Sequence, residues 1–171
     1  MSHSSTSVTV QVDVSTWTDE QRQSLFGAIA HIGNSTSGPV LPDLSDVETT
    51  GWTLDAYHDA MTGLLGKYQA QAMVIGEAIK NGTGFVPREQ VYELAGYDPA
   101  SRSLKGFTRP VNRVVANLVD KGVLPEDVAD LMKTEYDPAI KGFQRTLGFS
   151  VPLEVVKILQ DVKHAKQNSA V

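Results

Sequence analysis

Apolar positions between 54 and 80 recur every three or four residues, which is the spacing of one face of an α-helix. The stripe consists of Leu54, Tyr57, Met61, Leu64, Leu65, Tyr68, Ala72, Ile75 and Ile79. Gly63, Gly66 and Gly76 interrupt it, and a glycine inside a helix costs about 1 kcal/mol relative to alanine. The pattern therefore predicts either one long helix or a break near Gly63–Gly66, with a second helix over 68–80.

Two further helices are predicted downstream. The first runs from Pro87 to Ala95 and stops at Gly96, because proline suits a helix start and glycine a helix end. The second begins at Thr108, which we expect to act as the N-cap, and Pro110 is tolerated in the first turn because its missing N–H needs no partner there. Its inner face over 108–121 is predicted to be Val111, Val114, Val115 and Leu118. Residues 103–107 are expected to form a separate short turn.

A β-hairpin is predicted over 131–151. Residues 131–136 and 143–151 are two strand-like runs, and a connection containing Pro138 and Gly142 separates them. Pro152 is then expected to start a closing helix that ends near Lys163.

Upstream, residues Val8–Val14 alternate valine with polar residues, which predicts a half-buried strand, and a helix is expected to follow to about Ile32. Residues 35–50 are rich in Ser, Thr, Pro and Asp, which is typical of a linker.

The order helix, turn, helix, hairpin, helix is that of a winged helix-turn-helix. The expected fold class is mainly α with minor β, a winged helix-turn-helix preceded by an N-terminal strand-helix extension. The predicted parts are the extension and linker (1–50), the winged domain (51–164) and a flexible tail (165–171).

Composition and motifs narrow the function classes. The chain has 171 residues, of which 41% are hydrophobic, and no cysteine, so disulfides and thiolate metal sites are excluded. There is no nucleophile elbow, phosphate-binding loop or dinucleotide fingerprint. Asp55, His58 and Asp59 share a helical face, but acids in a first helical turn are better explained by the helix dipole. We therefore expect neither an enzyme nor a cofactor nor a metal.

The N-terminal sequence and the apolar runs bear on location. Residues 1–7 lack a basic region followed by an apolar one, so no signal peptide is expected. No apolar run approaches the roughly 18 residues that a membrane span requires. A cytoplasmic protein without membrane contact is the expectation.

Charge is unevenly distributed along the chain. The net charge is −5, and residues 1–80 carry three basic and nine acidic residues (3 − 9 = −6), whereas 81–171 carry twelve and eleven (12 − 11 = +1). Between Asp98 and Asp120 there are four basic residues and no acidic one. Such a local basic run is the electrostatic footprint of phosphate contact.

These features predict that double-stranded DNA is bound by helix 108–121 and by a wing at 131–151, in a transcriptional regulator that acts as a homodimer. Val8–Val14 and helix 54–80 are the expected dimer contacts, unless they form intramolecular core. Arg and Asn side chains at a helix start can contact phosphates and pair with base edges. The predicted DNA-binding residues are Arg102, Lys105, Thr108, Arg109, Asn112, Arg113, Lys141 and Arg145.

The segments Leu104–Arg113, Gly122–Pro125 and Gly148–Pro152, with Tyr136-Asp137, resemble small actinobacterial proteins of unassigned function. The resemblance covers about 52–160 and implies a winged helix in a bacterial cytoplasm, with no activity to carry over. Gly106 and Pro110 depart from an unbroken recognition helix. This departure keeps an alternative open, a winged-helix adaptor that binds a protein partner through the acidic N-terminal half and does not bind DNA.

Overall fold

A computed structural model describes residues 41–168 of the chain, so the predicted N-terminal strand and helix lie outside the described residues. The described part is mainly helical with a small antiparallel sheet, which confirms the prediction of a mainly α fold with minor β. Its elements are α1 (Leu54–Leu65), α2 (Gln69–Lys80), β1 (Phe85–Pro87), α3 (Arg88–Ala95), α4 (Arg109–Asp120), β2 (Lys133–Glu135), β3 (Gly148–Ser150) and α5 (Leu153–Asn168). None of these helices is long and apolar enough to cross a membrane.

The long apolar stripe is divided between α1 and α2, as the glycine positions indicated. Thr53 caps α1 in extended conformation, and its hydroxyl accepts from the N–H of Ala56 at 3.2 Å. At the other end the carbonyl of Leu64 accepts from the backbone N–H of Lys67 and Tyr68, so the chain turns there before α2 begins. Most of the stripe is buried in one core, so the apolar faces of α1 and α2 pack mainly within the chain.

The start of α4 is where predicted, with Thr108 at the N-cap position, but the predicted side-chain cap does not form. Thr108 has φ −78° and ψ −16° and its side chain makes no capping hydrogen bond. A threonine caps a helix from extended backbone, whereas Thr108 already belongs to a turn: Phe107 N–H donates to the Leu104 carbonyl and Arg109 N–H to that of Gly106. The predicted turn lies at 105–108 rather than 103–107 and leads directly into the helix.

The predicted hairpin forms, and a third strand joins it. β2 pairs with β3 with Thr134 opposite Phe149, and β1 pairs with the other edge of β3 with Val86 opposite Phe149, which gives the order β1–β3–β2. The sequence did not indicate β1, because it has three residues and ends in a proline, which is tolerated only at a sheet edge or strand end. β1 and β3 can approach closely at Gly148 because glycine has no Cβ. A Cβ at this position would collide with the Val86 carbonyl.

Aromatic packing joins the sheet to the helices. Phe149 is 1% exposed, and its ring centroid lies 5.1 Å from that of Phe107. The rings of Tyr97 and Phe107 pack edge to face, with their centroids 6.3 Å apart. β3 also contacts α3, and Phe107 connects β3 to the turn before α4.

The N-terminal end of α5 anchors the segment that precedes α1. Residues 41–50 have no helix or strand, in keeping with a predicted linker, yet their end is attached to the fold. The buried carboxylate of Glu154 accepts from the Thr50 N–H at 3.0 Å, from the Thr50 hydroxyl at 2.8 Å and from the Trp52 N–H at 3.4 Å.

The C-terminal end of α5 corrects the expected tail. The helix continues through 165–168 to Asn168, beyond the predicted end near Lys163. No glycine or proline stops it there, and lysine and glutamine are good helix formers.

Candidate functional site

A groove of about 750 Å³ lies between the connection from α3 to α4 and the loop of the β2–β3 hairpin. We call it the basic groove, because four cationic residues line it and no acidic residue of the described chain does. The cations are Arg88, Arg102, Lys105 and Arg145. The remaining side chains that matter here are Tyr92, Tyr136, Phe143 and Gln144. Three of the eight predicted DNA-binding residues, Arg102, Lys105 and Arg145, are thus brought together.

Aromatic rings position two of these cations. The Arg88 guanidinium lies 5.1 Å from the centre of the Tyr92 ring and donates to its hydroxyl at 3.3 Å. That hydroxyl donates in turn to the Arg102 carbonyl at 3.1 Å, and the Arg102 guanidinium stacks over Tyr97 at 3.9 Å. Cation–π contacts orient a guanidinium without neutralising its charge. Both side chains therefore keep their capacity to bind an anion.

The cations of the basic groove have no carboxylate partner among residues 41–168. The ion pairs in this part of the chain join Lys80 to Glu77 at 3.4 Å and Lys133 to Glu135 at 3.7 Å. Positive side chains that lie close together without carboxylate partners create a positive electrostatic potential, and the concave wall of the groove concentrates this potential. The groove is therefore suited to a phosphate or another oxyanion.

Three acidic residues that flank the α3–α4 connection and the hairpin loop in sequence make local hydrogen bonds. Asp98 accepts from the N–H of Ala100 at 3.0 Å, and this bond together with one from Ser101 lowers the pKa of the Asp98 carboxyl. Asp137 accepts from the N–H of Ala139 at 2.9 Å. The Glu135 carboxylate accepts from the Ser150 hydroxyl and pairs with Lys133. None of the three lines the basic groove.

A second polar surface is formed by the outer face of α4. Val111, Val115 and Leu118 are buried, and Val114 is half-buried against Gly63 of α1, which confirms the predicted inner face. The opposite, exposed stripe consists of Arg109, Asn112, Arg113, Ala116, Asn117 and Asp120. Three predicted residues therefore share one accessible face, whereas half-buried Thr108 accepts the Asn112 N–H with its backbone carbonyl.

Gly106 connects the outer face of α4 to the basic groove. It lines the groove and has φ +74°, a left-handed conformation that glycine adopts readily. The side chain of Arg109 covers it, with Nε 3.1 Å from where a Cβ of residue 106 would stand. The glycine that departs from a continuous recognition helix thus makes room for an arginine at the junction of the two surfaces.

The loop of the hairpin is held by one glutamine. Gln144 accepts from the Asp137 N–H at 2.8 Å and donates to the carbonyls of Asp137 and Ile140 at 2.9 and 3.0 Å. Lys141 is exposed on this loop, beside Gly142, which lines the groove. Lys141, the remaining predicted DNA-binding residue, is therefore at the margin of the basic groove.

Several residues of these surfaces were not predicted. Arg88 and Tyr92 were assigned only to a helix, and nothing local in the sequence indicates that they line the same groove as a hairpin loop about 50 residues away. Asn117 was also missed, although its position four residues after Arg113 is a signal that helical periodicity supplies.

Comparison with known proteins gave no relative: no protein-family model, curated protein or solved structure matches this chain. The resemblance to small actinobacterial proteins therefore stays a prediction.

Proposed function

We propose that this chain is a bacterial, cytoplasmic DNA-binding protein of the winged helix-turn-helix type that acts as a transcriptional regulator. In this proposal α4 contacts bases in the major groove and the β2–β3 hairpin is the wing. The observation that carries it is the set of cations without carboxylate partners in the basic groove, which adjoins the exposed Arg and Asn stripe of α4.

The element order supports this assignment of fold. From α2 onwards the chain runs helix, strand, helix, helix, strand, strand, and the first strand pairs with the last. A winged helix is expected to have this order, which supports the proposal. The connection over 96–108 is longer than the three- or four-residue turn typical of a helix-turn-helix. The added length contributes Arg102 and Lys105 to the groove.

The side chains suit two different tasks on a duplex. Arginine pairs bidentately with guanine and asparagine with adenine in the major groove, which are the residue types that α4 exposes at Arg109, Asn112, Arg113 and Asn117. Phosphate contacts position a protein without reading sequence, and the basic groove is suited to hold one strand of the backbone. The proposal therefore separates base contact on α4 from backbone contact in the groove.

We further propose a homodimer, because two half-sites double a modest interface. Leu65 and Met73 are large apolar side chains on α1 and α2 that are about half exposed, and they are the contact candidates in the described chain. Sedimentation at micromolar concentration should give a dimer mass, and the double variant Leu65→Ser, Met73→Ser should shift it to monomer. A wild-type monomer at that concentration would remove the dimer from the proposal.

The second candidate is an adaptor that binds a basic segment of a protein partner. One observation favours it: a smaller groove of about 390 Å³ is lined by four acidic residues, Asp43, Asp46, Glu48 and Glu154. The carboxylate of Glu154, however, is already used by Thr50 and Trp52. The DNA proposal is preferred, since the cations of the basic groove have no such partners among the described residues.

Gel shifts on fragmented genomic DNA test the proposal with three double variants. Arg109→Ala with Arg113→Ala removes the α4 cations, and Arg102→Ala with Arg145→Ala removes two groove cations. Lys163→Ala with Lys166→Ala is the charge-matched control, because both lysines are exposed on α5.

Both test variants should bind more weakly at unchanged melting temperature. The groove variant should reduce the slope of log K against log salt by about 0.9 for each phosphate that is no longer neutralised. The α4 variant should also lose preference among fragments, since base contacts specify and phosphate contacts do not. Binding that is equal in all three variants and wild type, or absent in wild type, refutes the proposal.

A further inference from the structure

The loop of the hairpin presents one aromatic ring entirely to solvent. Phe143 is 100% exposed, the largest exposure of any large hydrophobic residue in the described chain. Tyr136 and Ile140, on the same loop, are about half exposed. Packing within residues 41–168 therefore gives no reason for an aromatic side chain at this position.

The loop is preorganised rather than loosely connected. The three hydrogen bonds of Gln144 close it across Asp137 and Ile140. At the base of the loop, the Thr146 hydroxyl accepts from the Gly148 N–H. The single proton of this hydroxyl is donated either to the Glu135 carbonyl or to the Gly148 carbonyl. A ring held on such a loop loses little conformational entropy when it is inserted into a partner.

The charge around the ring selects the class of partner. Residues 138–147 contain two cations, Lys141 and Arg145, and no acidic residue. Neither cation has a carboxylate partner in the part of the chain that the structure describes. An apolar tip between two such cations is complementary to a polyanion that also offers an apolar interior, as stacked base pairs do.

We propose that Phe143 is a wedge that enters the minor groove of a DNA duplex and partly unstacks one base step. This inference rests on the proposed function and adds a specific mode of contact to it. Phe143 and Arg145 line one side of the basic groove, opposite Arg102 and Lys105. A DNA backbone held between these two sides of the groove would have α4 on its major-groove side and the tip of the hairpin on its minor-groove side.

The wedge has a consequence for the DNA sequence and shape. Apolar side chains that enter the minor groove kink the duplex towards the major groove, and pyrimidine–purine steps unstack at the lowest cost. Duplexes with a TA step under the wing are therefore bound more tightly and bent, whereas duplexes of G·C pairs without such a step are bound with less bending.

The test uses the full chain and duplexes of about 30 base pairs, long enough for a bend to be measured. One duplex carries fluorophores at its two ends to report bending, and another carries a fluorescent purine analogue in central TA steps to report unstacking. Both are compared with a G·C duplex lacking that step. The variants are Phe143→Ala, the conservative Phe143→Trp, and Val123→Ala as a control at an exposed apolar residue outside the loop.

Wild type, Phe143→Trp and Val123→Ala should all bend the TA duplex and raise the emission of the analogue. Phe143→Ala should lose both signals and bind about tenfold more weakly, with the salt slope retained because no cation has been removed. Its melting temperature should match wild type, since the ring makes no folding contact.

Two results overturn the wedge while the proposed function stands. The first is wild-type binding without bending or unstacking, and the second is Phe143→Ala behaving like wild type in both signals. If wild type binds no duplex at all, both the function and the wedge fail. If Phe143 is instead required for binding to vesicles of anionic lipid, and not for either DNA signal, the ring belongs to a membrane contact and the wedge is wrong.

Discussion

Replacement of Glu154 by alanine should destabilise the fold by about 3 kcal/mol. This buried carboxylate accepts three hydrogen bonds, two from Thr50 and one from the Trp52 N–H, and so attaches the segment before α1 to the start of α5. It also lies in the first turn of α5, where a negative charge is stabilised by the helix dipole.

The magnitude follows from those hydrogen bonds. A hydrogen bond to a charged group contributes about 1.5 to 3 kcal/mol, and the two bonds from Thr50, at 3.0 and 2.8 Å, count fully. The third, at 3.4 Å, adds little. Water reaches half-buried Thr50 in the variant and recovers part of the stabilisation. Glu154→Gln keeps an oxygen acceptor but loses the charge, so it should cost about half as much.

Urea denaturation followed by circular dichroism measures these differences. A double-mutant cycle with Thr50→Val should show a coupling of about 1 kcal/mol between the two side chains. Glu126→Ala, at an exposed glutamate, is the control and should change stability by less than about 0.5 kcal/mol. If Glu154→Ala is as mild as that control, or if the cycle shows no coupling, Glu154 does not hold the segment.

Two further predictions concern the sheet and the core. Gly148→Ala should lower the free energy of unfolding by about 3 kcal/mol and remove amide-exchange protection from the β1–β3 pairs, because the added Cβ meets the Val86 carbonyl and approaches the Phe85 ring to 2.6 Å. The control Gly66→Ala, with open space at its Cβ, should leave stability unchanged. Equal effects of the two changes would contradict the close approach at Gly148. Burial raises the pKa of Tyr57 above its ordinary 10.0, so the stabilisation from its neutral phenol is complete below about pH 10 and is lost as pH rises through the folded-state pKa. Alkaline unfolding of wild type and Tyr57→Phe should therefore diverge only above that pH, with wild type losing more, and parallel curves would show that the phenol is not buried.

Local sequence patterns predicted most of the helical part of the fold. Helical periodicity marked α1, α2 and the inner face of α4, and the end of α3 at Gly96 followed from the backbone freedom of glycine, which is left-handed there with φ 63°. These predictions succeed because each depends on residues within a few positions of one another. The cap at Thr108 failed because the preceding turn, which brings Phe107 against Phe149, already holds that residue in helical conformation.

The candidate site was predicted only in its local components. The basic run from Arg102 to Arg113 is visible in the sequence, and the exposed stripe of α4 follows from its period. The basic groove is not visible, because Arg88 and Arg145 are far apart in the chain and meet only after β3 has paired with β1 and packed on α3.

The helices, the hairpin and the surplus of positive charge near α4 could be predicted from local patterns, since these depend on periodicity, turn residues and composition. Packing between distant segments placed β1 in the sheet, brought Glu154 to the segment before α1, and let Gln144 hold the loop that exposes Phe143. A three-residue strand or a single hydrogen-bonded side chain leaves no periodic trace in a sequence. Their positions are set by contacts between distant residues, which form only when the whole core packs.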